Sequence, residues 1–587
     1  MPEQTPVTRR SFLRWLSAGG AAAAAGSILA ACGGSKEGPS PATSAPTTTA
    51  TNAAPTTAAT KAAGSAASGT TVASPATAAG SAATPAASTS ASAAGLPTAI
   101  TARIPVPAGK KEIIFVQGAD IVTLDPHLST NGNDTNATFN LFDNLIFRDV
   151  NNQLQPMLAT EWKTTGDTQW TFKLRQDVKF HNGDPLTAAD VKFTIERTYD
   201  PNAKTLVSTI FTTIDKIETP DDYTVVFNTK QSDPLLPARL AFYGGQIMPA
   251  KYFQQVTTGF AAKPIGSGPY KFVEQVKDDR VVLEANTTYW GGAPAISKVS
   301  IKPRPETAAR VASLVSGESD LASNIPPDQT DQVNKSGKTR TEPALFAGLW
   351  ALGVNSKVAP LSNKLVKQAL AFGVDRQSII KEIFRGQGLV PNGGISKGDF
   401  AYDESLPPLA YDPTKAKALL KQANYNNEEI IIETTQGYIA NDRQMAEAIV
   451  QMWKDIGVNA KAELIEISVR AQKNANKTFK GMWWTDPTST VLDPDGMMWR
   501  LLGPGGPQDY WRDAEWDKLG AEARVSLDAT LREKNYKRMN EIFRENFPWI
   551  PILQPVVLYG AANYLNFKYY ANTYLNLRKE NFNFVTS

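Results

Sequence analysis

The pattern of apolar and polar positions changes abruptly near residue 104. From there to residue 587, short runs with an apolar residue at every second position alternate with longer runs in which apolar residues recur three or four positions apart. The first pattern is typical of half-buried strands and the second of amphipathic helices. "TQWTFKLR" (168–175) predicts a strand, and "NDRQMAEAIVQMWKDIGV" (441–458) predicts a long helix. This part of the chain therefore predicts a mixed α/β fold.

Several helix ends can be predicted from their capping residues. Thr187 begins "TAADVKFTIERTYD", a helical run that should end before Pro201. Asp375 is a suitable N-cap for the second of two short helices in "NKLVKQALAFGVDRQSIIKEIFRG", and Pro413 fits the first turn of "PTKAKALLKQANY". The strand-like runs "EEIIIETT" and "NAKAELIEIS" come before and after the long helix. This alternation of helices and strands predicts an α/β lobe.

Length and charge restrict the classes of protein that fit. The globular part exceeds one typical hydrophobic core, so we expect two or more domains or lobes. The formal net charge of +3 gives no basic field suited to nucleic acid. No apolar run of 18 residues occurs in this part, so it predicts no membrane-spanning segment.

The N-terminal 31 residues have the features of an export signal. A basic head that contains Arg9 and Arg10 precedes a weakly apolar, alanine-rich stretch, and small residues stand directly before Cys32, the only cysteine. "TRRSFLR" resembles a twin-arginine export motif, and "LAAC" resembles a bacterial lipobox. The resemblance implies that residues 1–31 are removed and that Cys32 is lipidated and anchors the protein to a membrane. The alternative is an ordinary signal peptide with an incidental cysteine.

Residues 32–103 have a different composition from the rest. They are almost wholly Ala, Thr, Ser, Pro and Gly. Such a segment cannot bury enough apolar surface to offset its conformational entropy. We therefore predict that it is a disordered tether between the anchor and the folded part.

One polar motif could be mistaken for a catalytic or metal site. "FHNGDPLTAADV" contains His181, Asn182 and Asp184, which could be taken for metal ligands or an acid–base group. Asn-Gly is a typical turn sequence, and the following threonine is a helix cap, so a structural role is the favoured interpretation.

"GISKG" (394–398) formally fits the G-x-S-x-G motif of α/β-hydrolases. That motif requires a preceding strand and a following helix, whereas the flanking sequences predict loops. The two histidines, His127 and His181, both precede this serine, although the triad histidine of such a hydrolase follows it. We predict no catalytic residue, no metal site and no cofactor.

A series of motifs carries a resemblance to a known family. "LATEWKTTGDTQWTFKLRQDVKFHNGDPLTAADVKFTIER" is followed, in order, by "IGSGPYKFVE", "TYWGGAPAISKV", "GESDLASNIP", "VKQALAFGVDRQSII", "YDPTKAKALLKQANY" and "WKDIGVNAKAELIE". These stretches resemble the extracellular solute-binding proteins of family 5, which include the oligopeptide, dipeptide and nickel binders of ABC importers. The resemblance implies a two-lobed α/β fold of the periplasmic-binding-protein type (type II, cluster C) with an extra inserted subdomain.

The same resemblance implies domain boundaries. The hinges of lobe closure would lie near "GLWALGVN" and "NFPWIPIL". The expected boundaries are lobe I at 104–146, 264–350 and 546–587, the inserted subdomain at 147–263, and lobe II at 351–545.

The ligand side is best sought in "KGMWWTDPTSTVLDPDGMMW". On a strand, Trp483 and Trp484 point to opposite faces, so at most one of them readily lines a given side of a cleft. For either tryptophan, core packing and ligand stacking are the two alternatives.

The resemblance also implies that an aspartate in this segment pairs with the α-ammonium group of a peptide. Asp486 is the first candidate and Asp493 the second, but the usual spacing ahead of "DP" would place Thr490 at this position. "DPDG" lacks the later ligands of a calcium loop, so a solvated turn is the favoured interpretation.

We predict a monomeric, lipid-anchored receptor outside the cytoplasm that presents a small solute to the permease of an ABC transporter. Peptide is the expected ligand. A non-peptide solute such as an oligosaccharide is the alternative, favoured by exposed tryptophans and by the missing aspartate. Nickel is disfavoured because the chain has only two histidines. A secreted hydrolase is a more distant alternative, because no triad is evident.

Overall fold

The computed structural model describes residues 103–568 and 575–585. The predicted signal peptide and, apart from residue 103, the predicted tether lie outside the described residues. In the described ranges, no helix combines the length and the hydropathy that a membrane span requires.

The described chain alternates short strands and helices, which confirms the predicted α/β class. Strands β1 to β20 are, in order, Glu112–Gln117, Ile146–Arg148, Leu154–Pro156, Ala159–Thr165, Gln169–Leu174, Ile214–Asp221, Thr224–Thr229, Tyr270–Val276, Arg280–Ala285, Lys298–Pro303, Leu321–Ala322, Thr339–Leu345, Trp350–Val354, Gly388–Leu389, Ile430–Thr434, Ala460–Leu464, Met482–Thr485, Trp549–Ala562, Leu565–Phe567 and Phe582–Phe584. Helices α1 to α14 are Gly132–Leu141, Ala188–Tyr199, Leu236–Leu240, Ala250–Val256, Thr307–Ser316, Thr330–Asn334, Lys364–Phe372, Arg376–Ile383, Pro413–Gln422, Asp442–Asp455, Ile467–Asn476, Met498–Leu502, Ala514–Ala523 and Ala529–Asn546.

The capping residues predicted from sequence are confirmed. Thr187 is the N-cap of α2, and its backbone N–H donates to Asp190 Oδ2 at 2.9 Å. Asp375 accepts a hydrogen bond from the backbone N–H of Ser378 at the start of α8, and Pro413 is the first residue of α9. Local capping chemistry therefore fixes where these helices begin.

One large sheet organises the two lobes. In the described chain it has 12 strands, in the order β16-β15-β17-β13-β18-β11-β1-β10-β9-β8, and β12 and β14 also pair with β18. The 14-residue strand β18 belongs to both halves, because its first residues pair with β13 and its last residues pair with β11 and β12. Separate hydrophobic cores cover the two halves: Phe115 and Tyr270 belong to one, and Trp453 and Trp484 to the other.

The chain crosses between the two halves near the middle of β18. Between β12 and β13 it passes through residues 346–349, next to Gln554. The buried amide of Gln554 donates to the carbonyl oxygens of Phe346 (2.8 Å) and Lys397 (3.0 Å). The predicted hinge sequences adjoin these crossings. Hinge motion itself and the expected domain boundaries stay predictions.

A four-stranded antiparallel sheet, β4-β5-β7-β6, forms a second layer with α2. The histidine of the "FHNGD" motif holds a turn against the chain that returns from this region. His181 Nε2 donates to the carbonyl of Gly268 at 3.0 Å, and its Nδ1 accepts from the backbone N–H of Gly266 at 3.2 Å. Burial lowers the pKa of His181 to about 4, so the ring is neutral at pH 7. The motif is structural, as favoured above.

The hydrolase-like "GISKG" segment lies in a loop, in agreement with the prediction. Short turns surround it, and it has neither the preceding strand nor the following helix that a nucleophile elbow needs. No group of three or more acidic, histidine or cysteine side chains arranged to hold a metal ion occurs among the described residues.

Candidate functional site

A cavity of about 490 Å³ lies between residues 209–243, in the predicted inserted subdomain, and residues 490–524, in the predicted lobe II, and we call it the interlobe cavity. Its volume lies within the usual range for small-ligand sites. The lining residues are Thr209, Ile210, Thr212, Thr213, Arg239, Phe242 and Tyr243 on the subdomain side, and Thr490, Val491, Asp495, Gly496, Trp499, Arg500, Pro504, Gly506 and Arg524 on the lobe II side.

A groove of about 570 Å³ beside α2 and α4 is a weaker candidate. Its main charged groups, Asp125 and Arg197, form a two-point ion pair with distances of 2.7 and 3.0 Å. The other charged residues of the groove, Glu196 and Asp200, are both acidic, and all of its lining residues lie between positions 125 and 261. The groove therefore offers no second cation for a ligand carboxylate and does not reach the second lobe, so the interlobe cavity is the better candidate.

Direct contacts fix the two walls of the interlobe cavity next to each other. Arg148 donates to the carbonyl of Val491, and the side chain of Asn152 donates to the carbonyl of Gly398 at 2.8 Å. Leu235 and Ala238 pack against the side chain of Val491. These contacts position the loop that carries the ligand candidates.

Asp495 is the acidic group on the cavity wall. It lies in a short 3₁₀ turn, Pro494–Gly496, and only 7% of its surface is exposed. In the described chain its Oδ1 atom has no hydrogen-bond partner, and the nearest cation is Arg524, whose Nε lies 3.6 Å away. Burial raises the pKa of Asp495 to about 6, and Arg524 opposes this shift. This carboxylate has unused acceptor capacity at the cavity.

The turn predicted at "DPDG" is confirmed, but its predicted solvation is wrong. Pro494, Asp495 and Gly496 are buried, because the turn packs against Val491 and the neighbouring helices of lobe II. Composition alone favoured a surface turn, and the tertiary contacts override it.

Asp493, the second sequence candidate, lies inside lobe II. It is 3% exposed and accepts a hydrogen bond from Arg532 Nη2 at 2.8 Å. It also accepts from the backbone N–H of Asp495 at 3.0 Å. Since it does not line the cavity, the structure gives it a paired, internal position.

Asp486, the first sequence candidate, lies next to the cavity wall. It accepts a hydrogen bond from the hydroxyl of Tyr438, and the guanidinium of Arg470 lies 3.3 Å from the centroid of the Tyr438 ring. Burial raises the pKa of Asp486, whereas Tyr438, Arg470 and Arg500 oppose this shift. A ligand-binding role for Asp486 stays a prediction.

Trp483 and Trp484 point to opposite faces of β17, as expected. Trp483 stacks on Phe479 with ring centroids 4.3 Å apart, and Trp484 donates through Nε1 to the Thr434 hydroxyl at 3.1 Å. They are 1% and 0% exposed and do not line the cavity. The interpretation of these tryptophans as exposed is therefore wrong, because each face of the strand is covered by a core cluster.

Several residues of the cavity were missed by sequence reasoning. Trp499 supplies an indole to the wall, and Arg239, Arg500 and Arg524 supply guanidinium groups. Arg500 follows the "DPDG" turn and donates through Nε to the carbonyl of Gly496 at 2.8 Å. The position of Arg500 close to "DPDG" could have suggested a role at the site. The three arginines are far apart in the sequence, however, so no motif indicates that they line one cavity.

Thr490, the position that the family spacing assigns to an aspartate, lines the cavity. The position expected for the ammonium-binding aspartate is thus at the cavity wall, although the carboxylate on this wall belongs to Asp495. The wall combines one carboxylate, three guanidinium groups and aromatic faces, so it can bind a small solute that carries both acidic and basic groups.

Two lobes that share a sheet, with an inserted subdomain and a cavity between them, define the class of two-lobed solute receptors. The family model for the bacterial extracellular solute-binding proteins, family 5 (middle region), matches residues 153–509, and the chain belongs to this family.

Individual relatives agree with this assignment. The di/tripeptide-binding protein 1 of Pseudomonas aeruginosa is 28% identical over 498 residues, which cover 79% of this chain and 92% of that protein. The structure of HbpA2 from Haemophilus parasuis matches with a TM-score of 0.75 and 26% identity, covering 81% of this chain and 100% of that one. The periplasmic binding protein DppA of Helicobacter pylori, solved with the peptide STSA, matches with a TM-score of 0.66 and 25% identity, covering 81% and 98%. The chain is accordingly a solute-binding protein and not an enzyme.

Proposed function

We propose that the protein captures peptides in the interlobe cavity and presents them to the permease of an ABC transporter. The single observation that carries the proposal is the buried Asp495 carboxylate, whose Oδ1 has no partner in the described chain and which lines this cavity. A peptide ammonium would form a charge-assisted hydrogen bond with it and offset its desolvation. The peptide-binding relatives point to the same ligand class.

The roles of the cavity groups follow from their chemistry. Asp495 binds the α-ammonium group, with Asp486 as a second negative charge nearby. The arginines of the cavity wall bind the terminal carboxylate of the peptide. The aromatic rings of Tyr243 and Trp499 cover apolar parts of the ligand.

Isothermal titration calorimetry of the purified full-length protein with a panel of dipeptides and tripeptides tests this proposal. We expect saturable binding of several peptides, with N-acetylation weakening the affinity at least 10-fold, since it removes the ammonium charge. Absence of binding by every peptide, or equal affinity of acetylated and free peptides, would contradict it.

A non-peptide solute is the second candidate. It is favoured by Thr490, which lines the cavity where the family spacing places the ammonium-binding aspartate. Mass spectrometry of the small molecules that co-purify with the protein distinguishes the two, because a solute without an amino terminus would support the second candidate and exclude the first.

The same proposal includes membrane attachment through Cys32 after export that depends on Arg9 and Arg10. Support comes from the lipobox-like sequence around the only cysteine. Two acyl chains would anchor the protein stably, since each buried methylene contributes about 0.8 kcal/mol. In this arrangement a monomeric receptor remains outside the cytoplasm, at the membrane that holds its permease.

Fractionation of cells that express Cys32→Ser tests the anchor. We expect the variant to move from the membrane fraction to the soluble fraction, with folding and peptide affinity retained. Full retention in the membrane fraction would show that Cys32 is not the anchor.

A further inference from the structure

Positive groups outnumber negative groups on the wall of the interlobe cavity. Three arginines line it, but Asp495 is the one aspartate or glutamate among the lining residues. Arg239 already forms an ion pair with Asp233, which is 3% exposed and does not line the cavity. Asp486 lies behind the wall and is not among the lining residues, and it interacts with Arg470 as well as with Arg500. On the wall itself, the guanidinium groups of Arg500 and Arg524 thus remain against one carboxylate.

Arg500 is the less engaged of these two arginines. In the described chain its guanidinium makes one hydrogen bond, from Nε to the Gly496 carbonyl, and no carboxylate lies within 4.0 Å of it. Its side chain is exposed to the cavity. The two Nη atoms can therefore donate in parallel to a ligand carboxylate, which is the strongest common mode of arginine recognition.

Arg524 adds positive charge to the same wall and is itself only loosely paired. Its Nε is 3.6 Å from Asp495 Oδ1, beyond hydrogen-bond distance, and its guanidinium carbon lies 5.9 Å from the ring centroid of Trp499. An ammonium group bound to Asp495 would compete with Arg524 for this carboxylate, so the positive charge of Arg524 would be less well neutralised.

A peptide without acidic side chains does not balance these charges. Its ammonium group meets Asp495, and its terminal carboxylate meets one of the two arginines, so the other arginine remains without an anion. A second carboxylate would complete the pairing. It would also form charge-assisted hydrogen bonds, which are stronger than hydrogen bonds between neutral groups.

On the basis of the proposed function, we infer that the interlobe cavity prefers anionic peptides, which carry more carboxylates than ammonium groups, and that Arg500 binds the additional carboxylate. Asp495 holds the ammonium group in this arrangement. The ligand class is an acidic dipeptide or tripeptide.

The test compares Ala-Glu-Ala with Ala-Gln-Ala, two tripeptides of nearly equal shape that differ by one charge. Calorimetry with the full-length protein at pH 7.5 should give roughly 10-fold tighter binding of Ala-Glu-Ala, the factor expected for one charge-assisted hydrogen bond. The ratio of the two affinities should fall as salt is raised, since the interaction is electrostatic.

Arg500→Gln should lower this affinity ratio from roughly 10 to about 1. Arg538→Gln is the matched control, because Arg538 is also an arginine on a helix of lobe II but pairs with Glu515 and Glu541 at the surface, outside the cavity. This control should keep the ratio of the unsubstituted protein.

The possible outcomes separate the inference from the function on which it rests. Equal affinities, or tighter binding of Ala-Gln-Ala, would overturn the inference and leave peptide capture standing. A preference for Ala-Glu-Ala that survives Arg500→Gln would overturn the assignment of Arg500. Failure of both tripeptides and of the whole peptide panel would overturn the proposed function and the inference together.

Discussion

Two buried aspartates, one in lobe I and one at the interlobe cavity, have opposite surroundings. Asp143 is fully buried and accepts four hydrogen bonds, from Arg578 (2.6 Å), the Tyr289 hydroxyl (2.9 Å), Trp290 Nε1 (2.9 Å) and the Ser267 hydroxyl (3.2 Å). Asp495 is also buried, yet its Oδ1 atom has no hydrogen-bond partner in the described chain.

The difference shows how burial can serve stability in one place and binding in another. Burial acts to lower the pKa of Arg578, but Tyr289 and the ion pair with Asp143 outweigh it and raise this pKa, so the buried guanidinium is charged and paired. Asp495 is desolvated without full compensation, and its pKa is raised to about 6. A buried polar group that lacks partners calls for an explanation, and under the proposed function a ligand at the cavity wall would supply the missing partner.

The largest expected effect is at Asp143. Asp143→Asn leaves the buried Arg578 without its counter-charge, so the free energy of unfolding should fall by about 3–5 kcal/mol. Urea unfolding followed by tryptophan fluorescence measures it. The control Asp279→Asn removes an exposed partner of Arg280, and it should cost about 0–1 kcal/mol. Equal losses of stability in the two variants would show that the buried Asp143–Arg578 pair contributes no more than the exposed Asp279–Arg280 pair.

Asp495→Asn should weaken peptide binding without lowering stability, the opposite of what we expect for Asp143→Asn. The affinity for an unblocked peptide should fall about 10–100-fold, the equivalent of one lost charge-assisted hydrogen bond. The free energy of unfolding at pH 7.5 should be unchanged or higher, since the variant removes an incompletely compensated buried charge. Calorimetry and urea unfolding provide the two readouts. A loss of stability comparable to that of Asp143→Asn, with affinity retained, would show that Asp495 stabilises the fold and does not bind the peptide.

The pH dependence of Asp495 should act on stability and affinity in opposite directions. The folded-state pKa of about 6 exceeds the ordinary aspartate value of 3.8, so the contribution of Asp495 to stability is full below pH 4 and is lost as the pH rises through 6. Peptide binding needs the ionised carboxylate, so affinity should drop about 10-fold between pH 7.5 and pH 5. Calorimetry across this range checks the second trend, and Asp495→Asn should flatten it. A drop of the same size in Asp495→Asn would implicate another group.

Sequence reasoning predicted more of the fold than of the site. Thr187, Asp375 and Pro413 mark helix starts because capping depends on residues close in sequence. The motif order also indicated the family, and several residues of the segment in which the ligand side was sought line the interlobe cavity. Local chemistry and motif order are both visible in one chain.

The site residues depend on contacts between distant segments, which the sequence does not display. Asp493 and Asp495 are equivalent by composition, but Arg532, 39 positions away, neutralises the first and leaves the second at the wall. Trp484 is likewise covered by the lobe II core, which is assembled from many separate segments. Pairing over such distances is decided by tertiary packing, so it could not be assigned from local spacing.

The smallest expected effects come from two tyrosines that each donate to an aspartate. Tyr289→Phe removes one of four donors from Asp143, and the free energy of unfolding should fall by about 1 kcal/mol with unchanged peptide affinity.

Tyr438→Phe removes a donor that lowers the pKa of Asp486, so a smaller fraction of this carboxylate is ionised in the variant. If Asp486 supports the ammonium group together with Asp495, the affinity at pH 6 should fall about 3-fold. Calorimetry and urea unfolding of both variants give the comparison. An unchanged affinity in Tyr438→Phe would place Asp486 with Asp143, among the carboxylates that serve the fold, and would leave Asp495 as the acidic group of the site.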